Sequence, residues 1–312
     1  MSAPLPALEL GLTPWDFSSL TAHSLATQAA YAESLGYRSF WLPENHFNPY
    51  AIPDPLMLLA AVAASTREIK LATTSYLLPL RNPLLAAEQV AVLDRLSEGR
   101  VILGVGRGYS RETLKAFAID PGEKRELFEW AYTLMLSAWR GEAVSLHADG
   151  SAAVTVEPRP LQQPHPPVWV AAFGPKALAQ VGRLGLPYLA SPIETLADLT
   201  SNFTRYDAAL AAAGHPPMTL RPVMRTVFVS DSRATLNTLR ERLSTLSLPS
   251  GLASSPQADD WAIIGDRHEV KDKIALYRET LGMSHLVVTR LRVEGVPSDG
   301  LRESVTAIAG LV

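Results

Sequence analysis

The chain of 312 residues contains no cysteine. Disulfides, thiolate metal sites and a cysteine nucleophile are therefore excluded, and nothing points to an oxidising compartment. Histidine is sparse, and the seven residues show neither His-x-His nor His-Glu-x-x-His spacing, which argues against a metallohydrolase; no metal is expected. No Gly-x-Ser-x-Gly elbow is present, so the usual serine hydrolase signal is missing. No apolar run approaches the roughly 20 residues that span a membrane, and residues 1–12 lack a basic head followed by a long apolar stretch. A soluble, cytoplasmic protein with no membrane partner is expected. Basic and acidic residues nearly balance, 28 against 31, and the cations are scattered, so no nucleic-acid partner is expected either.

What the chain does have is apolar mass. At 47% hydrophobic and 19% charged residues it can bury a large core, and one barrel domain over 1–312 is an ordinary size, although two domains are also compatible. The stretch 39–120 organises the rest. It runs Ser-Phe-Trp-Leu-Pro-Glu-Asn-His-Phe, an alanine-rich helix, Ile-Lys-Leu-Ala-Thr-Thr-Ser-Tyr-Leu-Leu-Pro, a second such helix, then Val-Ile-Leu-Gly-Val-Gly-Arg-Gly-Tyr. Each short apolar run reads as a buried strand that ends in polar or glycine residues rather than a hairpin turn, so parallel strands follow. Further strands are expected at 8–12, 168–172, 188–190, 223–229 and 285–288, with helices between them. Together these make eight strand positions and predict an α/β fold, a (β/α)8 barrel with loop insertions. Residues 144–156 alternate weakly around Asp149-Gly150 and predict an inserted hairpin. Residues 49–55 are too rich in proline for a regular element and form a loop over the mouth or a plain connector. Residues 248–260 lack periodicity and predict an irregular loop. The helices at 55–65 and 84–96 are apolar nearly all round, so a covered face, and with it a homodimer, is expected.

The motifs along this frame bring a family into view. Glu44-Asn45-His46-Phe47 at a strand end, Asn82-Pro83, the helix end Leu93-Asp94-Arg95-Leu96-Ser97-Glu98-Gly99-Arg100, the strand end Gly104-Val105-Gly106-Arg107-Gly108, Phe117-Ala118-Ile119-Asp120, Pro167-Val168-Trp169-Val170 and Gly265-Asp266 occur in one colinear order. In that order the chain resembles the bacterial-luciferase-like flavin monooxygenases, whose second strand commonly ends in Glu-His-His-Phe. The resemblance implies a luciferase-like barrel that oxidises a small organic substrate with molecular oxygen and reduced FMN, the flavin being supplied transiently by a separate flavin reductase. It also implies dimerisation through the two apolar helices. A deazaflavin coenzyme doing hydride transfer is the alternative cofactor, and a flavin-binding barrel without catalysis is the alternative function.

In such a barrel the chemistry lies where strands end. The resemblance places Glu44, Asn45 and His46 in the catalytic position. Asn45 stands where relatives carry the first histidine of their motif; an amide can hold a hydrogen bond but cannot exchange a proton near neutral pH, which leaves His46 for proton transfer. The alternative is that His46 is a packed, hydrogen-bonded barrel residue. For the cofactor, Arg107 among Gly106, Gly108 and Tyr109 sets a guanidinium beside bare backbone where a phosphate can approach, and the resemblance adds Arg125. A salt bridge from Arg107 to Glu44 is the structural alternative. Thr74 and Ser75 end a strand where family members often carry a non-proline cis peptide beneath the flavin ring. Ala172, Phe173, Gly174 and Lys176 open a helix whose free N–H groups suit an anion, or simply form a helix cap.

Overall fold

The computed structural model describes residues 7–17, 19–246, 257–291 and 295–312. In chain order the elements are β1 (Glu9–Leu12), α1 (Ala22–Ser34), β2 (Ser39–Leu42), α2 (Pro55–Ser65), β3 (Lys70–Thr73), β4 (Tyr76–Leu77), a 3-10 turn (Leu78–Leu80), α3 (Pro83–Leu96) and β5 (Val101–Gly106). Then come α4 (Arg111–Ala116), α5 (Lys124–Trp139), β6 (Ala143–Val144), β7 (Val154–Thr155), β8 (Val168–Ala171), α6 (Pro175–Arg183), β9 (Tyr188–Leu189) and α7 (Leu196–Ala212). The chain closes with β10 (Pro222–Val229), α8 (Arg233–Ser244), α9 (Ala258–Trp261), β11 (Ile263–Gly265), α10 (Arg267–Leu281), β12 (His285–Thr289) and α11 (Ser298–Ala309). Two compact units divide these elements: one of residues 1–19, 31–40 and 172–312, the other of residues 20–30 and 41–171.

In the second unit β5 is the central strand. It pairs in parallel with β3 (Leu71 with Val101), β4 (Tyr76 with Val105) and β8 (Gly104 with Trp169), and all six of its residues are buried. A parallel strand covered on both faces reads as an unbroken apolar run, which is how 101–106 reads. Its two glycines have a packing reason. A Cβ on Gly104 would lie 1.9 Å from the Thr73 carbonyl oxygen, and one on Gly106 would lie 2.2 Å from Ser75 Oγ. The Trp41 and Trp169 rings lie 5.1 Å apart in this core.

α2 and α3 begin alike. Asp54 and Asn82 each accept two N–H groups of the following helix, and Pro55 and Pro83 occupy the first helical turn. Leu59, Val62 and Val90 face inward and are fully buried, whereas Met57 is 74% and Leu85 52% exposed. The helix end 93–100 is a structural staple. Arg100, 8% exposed, donates to the Ala63, Thr66, Ile69 and Ser97 carbonyls and to the Thr66 hydroxyl. Asp94 accepts from the backbone and side chain of Gln162. The hairpin expected at 144–156 is the antiparallel pair β6 and β7.

In the first unit β1 lies parallel to β12 and pairs with the start of β2, while β10 pairs with both β11 and β12. Ala190, just past β9, bridges to Val223. Of the loop expected at 248–260, residues 248–256 lie outside the described residues, and its end forms the short helix α9. Residues 1–6 of the leading segment also lie outside them. Among the described residues no helix is long and apolar enough to cross a membrane.

Candidate active site

The polar cluster after β2 is built around Glu44, whose side chain is 1% exposed. A carboxylate taken from water at this depth is tolerated only when charge and donors surround it. Three do. Leu77 N–H donates to Oε2 at 2.9 Å, Arg81 Nη2 lies 2.8 Å from the same oxygen, and His46 Nε2 lies 2.9 Å from Oε1. Arg81 is itself held 3.9 Å over the Tyr76 ring, and burial pushes the Tyr76 phenol well above its usual range. Because Glu44 is an acceptor, neutral His46 carries its proton on Nε2 and presents Nδ1 as the basic nitrogen. The imidazole packs edge-on against Phe117 at 4.9 Å and beside Phe47 at 5.6 Å. Those two phenyl rings stack on each other at 5.6 Å, and Phe47 adopts a left-handed backbone, φ 61°.

Asn45 does a different job. Its Oδ1 accepts from Ile52 N–H at 3.0 Å, and its own N–H donates to the Ile52 carbonyl at 3.1 Å, which closes the loop 45–52. Only the amide nitrogen is left to meet a ligand. The Thr74–Ser75 peptide bond is cis, as the resemblance implies.

Arg107 is 7% exposed and donates to the Ala171 carbonyl at 2.9 Å, with the Phe128 ring 5.3 Å away. Glu44 pairs with Arg81, so the ion pair considered for Arg107 is made by another arginine. Burial, and then the neighbouring charge of Arg125, lowers the Arg107 guanidinium to about 10. Lys124 donates to the Gly108 carbonyl at 2.9 Å and is held below its usual range by burial and by Arg107, Arg125 and Arg111. Gly108 takes φ 75°, a left-handed turn, and Tyr109 beyond it is 87% exposed. These cations repel one another, and an anion among them would relieve the strain. Ala172, Phe173, Gly174 and Lys176 belong to the first unit, at the start of α6, where Gly174 has φ 80° and supplies no side-chain cap. Sequence reasoning missed Arg81, Lys124 and Phe117. The run of cations at 107, 111, 124 and 125 was a readable signal for Lys124; nothing local marked Arg81 as the partner of Glu44.

A family model for luciferase-like monooxygenases matches residues 11–284. The chain belongs to the luciferase-like monooxygenase family. Limonene 1,2-monooxygenase of Rhodococcus erythropolis is 32% identical over 180 residues, 55% of this chain and 46% of that protein. The chain spans about half the length of the curated relatives it matches. Among solved structures, the oxygenating constituent of 3,6-diketocamphane monooxygenase from Pseudomonas putida, in complex with FMN, superposes with TM-score 0.81 at 20% identity over 97% of both chains. The coenzyme F420 dependent tetrahydromethanopterin reductase of Methanopyrus kandleri does so with TM-score 0.73 at 18% identity over 99% of both. The fold is thus the luciferase-like TIM barrel. Asn45 stands at the strand end where the resemblance implies a histidine, and Phe173 and Gly174 precede α6.

Proposed function

We propose that this protein is a monooxygenase that uses reduced FMN and molecular oxygen to oxidise a small organic substrate. The observation that carries this reading is that one compact unit holds both a carboxylate-anchored histidine and a cluster of mutually repelling cations. The cations suit a phosphate: Arg107, Lys124 and Arg125 would hold that of FMN, with Thr74 and Ser75 beside the ring system. When bound, the flavin supplies the electrons and the oxygen activation that no side chain can. Glu44 fixes the His46 ring and its tautomer. His46 Nδ1 takes or returns a proton at the reacting group, and Phe47 and Phe117 shield the ring from water. Asn45 shapes the loop and offers its amide N–H to an oxygen of substrate or cofactor.

The remaining expectations belong to the same proposal. The 312 residues act as a single domain in the cytoplasm, a separate reductase delivers the flavin, and two copies pair through the exposed apolar residues of α2 and α3. The likeness to a coenzyme F420 dependent reductase supports a second reading, hydride transfer from a deazaflavin without oxygen. Titration of the purified protein with reduced FMN and with reduced deazaflavin, following flavin absorbance and oxygen uptake, separates the two. FMN binding with oxygen consumption is expected, and failure of both cofactors to bind would overturn the proposal.

A further inference from the structure

Two of the three donors on Glu44 come from one short segment. Leu77 N–H and Arg81 both meet Oε2, and the 3-10 turn between them closes with the Arg81 N–H donating to the Leu78 carbonyl. Leu78 and Pro79 are buried, so the turn is anchored in the core. The Tyr76 ring, fully buried, lies 3.9 Å beneath the guanidinium. The contact from Arg81 Nη2 to the Pro53 carbonyl is 3.5 Å, longer than a good hydrogen bond, and Nε has no partner among the described residues. What holds the cation here is therefore the Glu44 carboxylate and the aromatic ring.

The charges of this cluster balance. The carboxylate and the guanidinium cancel, so the set is neutral while His46 carries a single ring proton. The other ionisable groups nearby are fixed. Burial keeps the Tyr76 phenol protonated, with its hydroxyl donating to Gln89 Oε1 at 3.2 Å. Asp54, whose charge also acts on that phenol, is spent on the Leu56 and Met57 amides at the start of α2. Imidazole is the side chain that gains a proton most readily near neutrality. Without the guanidinium, the Glu44 carboxylate, its side chain 1% exposed, would be a buried charge lacking a counter-ion, which is strongly unfavourable. His46, 2.9 Å from Oε1, can cancel that charge by taking a second proton from water. It would then be an imidazolium, with no bare nitrogen to receive a proton.

We propose that Arg81 is a positioning residue for His46: by cancelling the charge of Glu44 it keeps the imidazole neutral, with Nδ1 bare. This role rests on the reading of His46 as the group that takes a proton. Nitrogen NMR of protein labelled in histidine, at mildly alkaline pH and with no substrate or flavin added, tests it; a His46→Gln protein assigns the signals. Wild type should show one protonated and one bare ring nitrogen. Arg81→Gln should lose the bare-nitrogen signal. Arg81→Lys, which keeps the charge, should retain it, and Arg81→Gln combined with Glu44→Gln, which removes both charges, should restore it. A purely structural arginine would leave the double variant the most disturbed. Thermal melting against pH is a second measurement, which serves even where Arg81→Gln folds poorly. In that variant the folded state holds the extra His46 proton more tightly than the unfolded chain does, so the stabilisation is present at acid pH and lost as pH rises. Its deficit against wild type should therefore widen towards alkaline pH. A bare Nδ1 retained in Arg81→Gln, a double variant that stays doubly protonated, or a deficit constant with pH would each overturn the assignment. Both measurements are made without turnover, so failure of this role is distinct from failure of the flavin chemistry.

Discussion

Replacing Glu44 by Gln keeps the shape of the central side chain and removes its charge, so it isolates what the carboxylate does. Glu44 serves three donors, with Leu77 N–H and Arg81 on Oε2 and His46 on Oε1. A glutamine oxygen can still face Leu77 and Arg81, but its amide nitrogen then points a proton at His46 Nε2. The imidazole has to answer by moving its own proton to Nδ1, which leaves no basic nitrogen towards the site. Energetically, the Arg81 contact falls from an ion pair to a hydrogen bond charged on the donor alone, a loss of about 1–2 kcal/mol. Arg81 has a side chain 18% exposed, so water recovers part of its solvation. The expected destabilisation is about 2 kcal/mol, against about 3–5 kcal/mol for Glu44→Ala, which strips a buried pair of one partner. Urea denaturation measures the stability, and nitrogen NMR of labelled imidazole reads the tautomer. A Glu44→Gln protein as stable as wild type, or one whose His46 keeps its proton on Nε2, would refute the reasoning.

Four further outcomes are expected. Arg107→Ala should weaken FMN by about 1.5–3 kcal/mol, the range of a charge-assisted bond, and leave riboflavin nearly unaffected; equal losses in fluorescence titrations of both flavins would assign Arg107 to packing. His46→Ala should retain FMN but slow substrate oxidation about a hundredfold or more, as for a removed acid or base, and unchanged single-turnover rates would exclude it from proton transfer. Met57→Glu with Leu85→Glu should turn a dimer into monomers by light scattering, whereas Leu59 and Val90 cannot serve this test because they lie in the core; a wild-type monomer at micromolar concentration would end the idea. Burial raises the Glu194 carboxyl to about 7 from an ordinary 4.5. The folded state therefore favours its protonated form, and its contribution is complete below the unfolded value and lost as pH rises through about 7. Roughly 3 kcal/mol is at stake, and a Glu194→Gln protein with the wild-type slope of stability against pH would show that another group is responsible.

Local signals carried much of the fold. The alanine- and leucine-rich runs 55–65 and 84–96 announced α2 and α3, which span Pro55–Ser65 and Pro83–Leu96. The run 101–106 announced a doubly covered strand. Short elements escaped: α4, α9 and β11 span too few residues for periodicity to register. The site was legible in its strand-end residues and opaque in its pairings. Nothing near Arg81 in the chain says that it neutralises Glu44, and nothing near Asn45 says that its side chain belongs to Ile52, because both pairings exist only once the loops have closed. The helix end 93–100 shows the reverse. This motif, one of those that carry the resemblance, is a staple of buried backbone contacts made by Arg100 and Asp94.

The approach of β3 to β5 at Gly104 and Gly106 also sets where this protein can change. At both positions a side chain of any size would drive into neighbouring atoms, Thr73 backbone in one case and the Ser75 side chain in the other. Saturation libraries should therefore return almost nothing but glycine at 104 and 106, while the exposed loop tips at Pro49-Tyr50 and at Tyr109 accept broad replacement. New substrate preferences, whether bred in the laboratory or acquired by descent, would accumulate in those tips. The strand pair beneath them stays the fixed template on which each variant is built.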